Sequence, residues 1–375
     1  MNNVIIGAGQ CGRGYIARLL ALSKENFTFI DCDTRIIEQL RIAATYEISF
    51  CGSERKPLTI DHYHAYSWEE KESFESLQEA DVIFTSVSEQ HLPALVQPLR
   101  TALQKRRKAH KAIIITAENG TSPKQKLCEL ADVAELSESV IFCTTLKKDG
   151  VLDIMSEDLD HLPYDASCLT SQLPFHGMYA EHSFQDLLER KIYTYNALSA
   201  CISYLGANLG YTSYAAAAND ADIVRLTDIA RRQLDQAVAA AYGIDIERQH
   251  AFSHMAVTKF RNRGIPDTIE RNARDVVRKL GKKERILAPL LLVSANGEFP
   301  ESFCIVCAAA LWYGSMHGEF AAENDIRNEE IYGLLHTVLT ADILEATLVY
   351  YQKLMAGITL STLVHKAFGS LEKEL

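Results

Sequence analysis

No apolar run in this chain is long enough to cross a bilayer: the longest, Phe303 to Tyr313, falls well short of the ~20 residues a spanning helix needs. Basic charge is also scarce, with 38 Lys and Arg against 49 Asp and Glu for a formal net charge of -11. That balance argues against nucleic acid or an anionic membrane as a partner, and an anionic small substrate would need its own local basic pocket. The cysteines, nine at irregular spacing, do not form a disulfide framework and read as reduced thiols of a cytoplasmic protein. Cys304 and Cys307 form a CxxC, but inside FCIVCAAALWY they read as buried small hydrophobes. His62 and His64 lie in a polar stretch with no third ligand nearby, so no metal site is expected. The opening MNNVIIGAGQ has no basic segment ahead of an apolar core, so no secretory signal is expected. Repeats, low-complexity tracts and flexible linkers are absent from the sequence.

What is present is an ordinary globular composition, 47% hydrophobic and 23% charged, over 375 residues. That length accommodates two domains, each with its own core. The first half alternates apolar strands (Asn3 to Ile6, Phe27 to Ile30, Val82 to Thr85, Ile113 to Thr116, Val140 to Cys143) with helical patterns near Leu92 to Arg107 and Pro123 to Ala134. Such alternation predicts a Rossmann-like, doubly wound parallel α/β sheet over residues 1–183. Gly150 to Gly177 reads as extended segments and turns. From residue 184 to 375 the pattern predicts an all-α domain, with helices over Tyr214 to Tyr242, Ile244 to Arg261, Asp267 to Leu280, Glu284 to Val293, Glu301 to Met316 and Glu329 to Ala367.

Directly after the first strand stands Gly7-Ala8-Gly9-Gln10-Cys11-Gly12, leading into a helical pattern. The glycine spacing suits a dinucleotide: Gly7 permits the tight turn, Gly9 lets a pyrophosphate reach the backbone, and Gly12 lets helix and strand pack closely. The helix start supplies free amide donors for the pyrophosphate. Asp31, ending the second strand, would accept hydrogen bonds from an adenosine ribose and repel a 2′-phosphate, so the site predicts NAD in preference to NADP. Ser86 and the Thr116-Ala117-Glu118-Asn119 segment fall at carboxyl ends of later strands, where ligands bind. By position alone Asn119 could equally cap a loop.

In the second half, Leu188, Ile192, Tyr195, Leu198, Ile202, Leu205 and Leu209 recur at helical spacing, yet Lys191, Asn196 and Ser199 share their side. At roughly 100° per residue, Asn196 sits about 140° and Ser199 about 80° from Lys191 on a regular helix. A buried ammonium is costly unless paired or used, whereas one beside a helix start can snorkel to water, and the helix alone leaves both open. Further on, Lys259, Arg271, Arg274 and Arg278 belong to a basic cluster, and the three arginines are spaced to share one helix face. They suit either a solvated, acid-paired surface or the anchoring of an anionic or polyhydroxylated substrate.

Taken together, GAGQCGRGYI, Asp31, AEN at Ala117 to Asn119, ERKIYTYN at Glu189 to Asn196, YLG at Tyr204 to Gly206, and KFRN with the following ERNARDVVRKL are similar to the polyol-specific long-chain dehydrogenase family. The resemblance covers most of the chain, in family order. It implies an NAD-dependent oxidoreductase passing hydride between nicotinamide and a secondary alcohol or ketone of a polyol, sugar phosphate or related sugar. Lys191 matches the family's general base; Asn196 and Asn119 match the asparagines that hold the developing oxyanion. Where the family has a histidine this chain has Ser199, which can exchange hydrogen bonds but not charge near neutral pH. The family's substrate arginine ahead of Phe-x-Asn is Lys259 here, followed by Asn262, and its VDRI-like segment is replaced by TTLKKDG, Thr144 to Gly150. These departures leave two alternatives: an NAD(H)-binding sensor without catalysis, or the same chemistry on a sugar-amine conjugate. The expected substrate-binding set is Lys259, Asn262, Arg271, Arg274 and Arg278, in a cytoplasmic monomer or weak homodimer.

Overall fold

The computed structural model describes residues 1–118, 123–147, 150–320 and 329–369. The chain divides into two compact units, Met1–Phe184 and Gln185–Leu375. The first contains twelve strands among its described residues: β1 (Asn3–Ile6), β2 (Phe27–Asp31), β3 (Tyr46–Cys51), β4 (Leu58–Ile60), β5 (Tyr63–Ser67), β6 (Val82–Thr85), β7 (Ala112–Thr116), β8 (Ala134–Glu138), β9 (Thr145–Lys147), β10 (Ile154–Glu157), β11 (Leu162–Asp165) and β12 (Met178–Glu181). Six form a sheet in the order β5-β2-β1-β6-β7-β8, every pair parallel. Parallel strands are covered on both faces, which is why β1, β6 and β7 are buried at every residue. The order reverses at β1, between β2 and β6, and ligands of doubly wound sheets bind at the strand carboxyl ends at such a point. Ile6 pairs with both Ile30 and Thr85, so Gly7, Asp31 and Ser86 emerge side by side there.

A second, mixed sheet, β4-β3-β10-β9, was not evident in the sequence. Its β10 comes from the stretch expected to be irregular. Arg18, fully buried on the Ala17–Leu22 helix, ties that helix to the second sheet by donating to Ser156 Oγ (2.8 Å) and the carbonyls of Glu157 (2.9 Å) and Leu159 (2.5 Å), with its Nε 3.0 Å from Asp160.

Two expectations for this unit are corrected. The last parallel strand is β8, not Val140 to Cys143. The VIFC run is buried but lies beyond the strand, with Ser139 bridging Tyr164 antiparallel. β8 is the sheet's edge, half-buried at three of its five residues, so it never needed a continuous apolar run. The segment before it is a 3-10 helix, Lys124–Leu130, seated by Leu127 and Leu130.

The second unit is helical among its described residues. Its core is Ala197–Asn208 and Glu301–Met316, both buried on nearly all sides, consistent with their unbroken apolar text. Other expected helices are interrupted by capping. Asp220 accepts from the amides of Asp222 and Ile223, separating Tyr214–Ala218 from Ala221–Tyr242. Asp275 adopts a left-handed φ of 63°, dividing Asp267 to Leu280 into Ile269–Ala273 and Val276–Lys279. The final stretch is three helices, Glu329–Val338, Ala341–Met355 and Leu360–Phe368, and Leu287–Ala295 begins later than the periodicity suggested.

Candidate functional site

In the first unit the glycine turn is shaped by sterics. Gly7 has φ 101°, and a Cβ there would stand 2.2 Å from the Ser86 carbonyl oxygen. A Cβ on Gly12 would stand 2.0 Å from the Gly7 carbonyl oxygen, whereas one on Gly9 would meet nothing within 4 Å. The turn is therefore closed against the protein at Gly7 and Gly12 and open at Gly9, as a backbone that receives a pyrophosphate requires. Asp31 accepts from the Ala8 amide at 2.6 Å and the Asp33 amide at 2.9 Å, so it ties the turn to the end of β2 while keeping lone pairs for a ribose. Gln10 is exposed and Cys11 half-buried. Burial pushes the Cys11 thiol up to about 12 against the lowering effect of its hydrogen bond with Ser86, so it presents no anion to a phosphate.

The helix here opens with a π-helical turn, Gly12–Ile16. Its one basic residue, Arg13, is buried and donates to the Leu152 carbonyl at 2.6 Å, away from the turn. An anion at the turn would then meet backbone amides in place of Arg13. Glu118, absent from the sequence-based candidates although it sits in the AEN motif, is buried and accepts from the amides of Val87 (2.9 Å) and Ser88 (2.8 Å). It shapes the loop that carries Ser86, and burial raises its pKa. Asn119 lies outside the described residues.

In the second unit Lys191 ends the Phe184–Lys191 helix. A second π-helical turn, Ile192–Asn196, follows, closed by the Ala197 amide on the Ile192 carbonyl. An i→i+5 turn is wider than an α-helical one, so the angle between Lys191 and Asn196 is smaller than the one a regular helix would impose. Lys191 is half-buried. Burial first, then the charges of Lys259 and Arg285, bring its amine down to about 7.

Asn196 and Ser199 are half-buried. The Ser199 hydroxyl accepts from buried Tyr214 Oη at 2.9 Å, leaving its own proton to donate elsewhere. Lys259 is half-buried near the end of the Ile246–Arg261 helix, and Asn262 Oδ1 accepts from the Gly264 amide at 2.8 Å.

The three arginines do not form one stripe, because the helix breaks between them. Arg271 forks onto Asp267 at 2.7 and 2.5 Å, Arg278 lies 3.1 Å from Glu284, and Arg274 is exposed at the break. Two further cations stand in this region: Arg285, which the sequence did not single out, and Lys279, which it placed in the basic cluster but not among the substrate-binding candidates. Arg285, half-buried, bonds Glu284 at 3.2 Å and acts on Lys191. Lys279 is buried, donates to the carbonyls of Asn272 (2.7 Å) and Arg274, and is brought down to about 8, by burial first. Nothing in the spacing marked Arg285.

Comparison with known proteins matches residues 1–146 to the mannitol dehydrogenase Rossmann domain and residues 184–372 to the mannitol dehydrogenase C-terminal domain. The mannitol-1-phosphate 5-dehydrogenase of Oceanobacillus iheyensis is 28% identical over 343 residues, covering 85% of this chain and 88% of the relative. That of Exiguobacterium sibiricum is 25% identical over 379 residues, covering 97% and 96%. Among solved structures, D-sorbitol dehydrogenase in substrate-free form superposes with a TM-score of 0.79 at 12% identity, covering 96% of this chain and 94% of the other. Pseudomonas fluorescens mannitol 2-dehydrogenase, in a ternary complex with NAD and D-mannitol, gives 0.66 at 15% identity, covering 98% and 94%. At these identities the structures show a shared fold.

Proposed function

This chain belongs to the mannitol dehydrogenase family, and from that premise we propose that it interconverts a secondary alcohol and a ketone of a polyol or sugar phosphate with NAD. The dinucleotide is held by the turn from Gly7 to Gly12, with Ala8, Gln10 and Cys11 contributing backbone, Asp31 at the ribose and Ser86 beside the turn; bound nicotinamide accepts or gives the hydride. Lys191 takes the hydroxyl proton as the alcohol becomes a ketone and returns it in the reverse direction. Asn196, with Asn119, donates to the oxygen whose charge develops. Ser199, its lone pair taken by Tyr214, donates to a substrate oxygen, and Lys259 with Asn262 meets the substrate's far end. Arg271 and Arg278 are already engaged by carboxylates, so their part is in holding that region together, with Arg274 between them.

One observation supports this reading above the rest: burial and two neighbouring cations bring an amine in the family's position down to about 7, where it can accept a proton near neutral pH. The protein works in the cytoplasm, in keeping with nine free cysteines, as a monomer or weak homodimer.

The test is a panel of polyols, polyol phosphates, ketoses, ketose phosphates and sugar-amine conjugates with NAD or NADH, followed by NADH absorbance. Turnover of a polyol phosphate or its ketose phosphate supports the reading. Turnover of conjugates alone moves the substrate class. NADH binding with no turnover of any member leaves the sensor reading, which Ser199 in place of the family's histidine favours.

A further inference from the structure

Around the π-helical turn that follows Lys191 lies a buried polar network that the proposed chemistry does not itself use. Gln249, Thr194, Asp235 and Ser253 are fully buried, and Arg190 nearly so. Gln249 Oε1 accepts from Arg190 Nη2 at 3.0 Å and Nε at 3.3 Å; its Nε2 donates to Thr194 Oγ1 at 3.0 Å and to Asp235 Oδ1 at 3.2 Å. Asp235 Oδ2 also accepts from Ser253 Oγ at 2.8 Å and Arg231 Nη1 at 3.2 Å, with His250 Nε2 at 3.9 Å. The Arg190 guanidinium lies 4.8 Å from the Phe252 ring centroid, and Tyr195 meets the same ring edge-on at 5.0 Å.

Arg190 immediately precedes Lys191, and Thr194 is the middle residue of the turn. A single amide thus bonds side chains on both sides of Lys191, and it is itself held by a carboxylate on the Ala221–Tyr242 helix. An unmade bond in such a place leaves a buried donor or acceptor unsatisfied, so the arrangement admits few alternatives.

We propose that Gln249 is a positioning residue: its amide, oriented by Asp235, holds Arg190 and Thr194 so that the wide turn presents Lys191 and Asn196 to one side. The inference rests on Lys191 being the base. It carries a consequence for the amine, since a loosened turn lets the ammonium reach water and move off Lys259 and Arg285, the charges that act on it.

Full-chain Gln249→Met, Thr194→Val and Thr194→Ser test it. The first removes the amide, the second only its hydroxyl partner, and the third restores that hydroxyl. The pH dependence of Lys191 acylation by a small reagent, read by mass spectrometry of its peptide, follows the amine without reference to catalysis. The parent midpoint is expected at about 7. Gln249→Met raises it by about one pH unit or more, Thr194→Val by less, and Thr194→Ser returns it to the parent value. With D-mannitol 1-phosphate and NAD as probes, kcat falls about 10- to 100-fold in Gln249→Met while NADH affinity holds. An unmoved midpoint in folded Gln249→Met, or in Thr194→Val if the first does not fold, overturns the positioning role. Lys191→Met is assayed alongside: parent-level turnover there removes the base assignment, while the acylation midpoints still decide whether Gln249 holds the amine.

Discussion

The two wide helical turns, Gly12–Ile16 and Ile192–Asn196, are built by opposite means. The first turns its basic side chain aside: Arg13 donates to the Leu152 carbonyl and Cys11 stays a neutral thiol, so that an anion there would meet backbone amides. The second gathers charge: Lys191 is half-buried and acted on by Lys259 and Arg285, so that its amine loses its proton easily. A backbone site is made by leaving side chains out, and the omission shows in a few consecutive residues. A side-chain site depends on what folding brings up to it, here Gln249, Asp235 and Arg285 from three separate segments.

The sharpest way to break this contrast is Lys191→Ala. Turnover is expected to fall about 10³-fold, with NADH binding, followed by fluorescence titration, unchanged. A variant as active as the parent would remove the second turn from the chemistry altogether. The mirror experiment is Gly7→Ala, where φ is 101° and the new Cβ would press on the Ser86 carbonyl. It should destabilise the first unit by about 1–3 kcal/mol in thermal unfolding and abolish tight NADH binding, while the Lys191 acylation midpoint stays in place. A midpoint that moved with it would mean that the two turns are not independent.

Asp31→Ala sharpens the first half of the comparison. It deprives the Ala8 amide of its acceptor and a ribose of its partner, so NAD affinity should drop about tenfold and discrimination against NADP should narrow. Equal steady-state constants for parent and variant with both cofactors would count against Asp31 as the ribose residue.

Lys191→Met sharpens the second half through stability. With the folded amine near 7 and the unfolded one at the ordinary lysine value, the unfolded state binds more protons between those limits, so the parent gains stability as pH rises across that window. Below it the burial cost is present in full. The variant should therefore melt higher than the parent at pH 6, with the advantage shrinking toward pH 10; a constant difference would show that the folded amine titrates like any exposed lysine. The smallest effect belongs to Arg271→Gln, which removes an exposed arginine from half-buried Asp267 and should change stability by about 1 kcal/mol. A large loss of activity there would return that arginine to the substrate site.

Several elements could be read directly from local text. β6 and the Glu301–Met316 helix have the bounds their apolar runs suggested, and β1, the glycine turn, β2 and Asp31 follow one another in the expected register. Reading failed where burial did not follow periodicity. VIFC is apolar because it is buried, not because it is a strand, and β8 is a strand whose text is only half apolar. It failed again where one residue's backbone overruled a good helical pattern: Asp275 in the left-handed region separates Arg271 from Arg278, and no count of apolar positions reveals that.

The sequence by itself determined the parallel sheet, the glycine turn with its acidic partner, and the helical character of the second unit, because each follows from short-range sterics and the period of the apolar residues. Tertiary structure alone decided which cations are engaged by carboxylates, that the helix widens between Lys191 and Asn196, and that burial with Lys259 and Arg285 lowers the Lys191 amine. Those properties come from burial and from charges distant in sequence but close in space, and one-dimensional spacing carries no record of either.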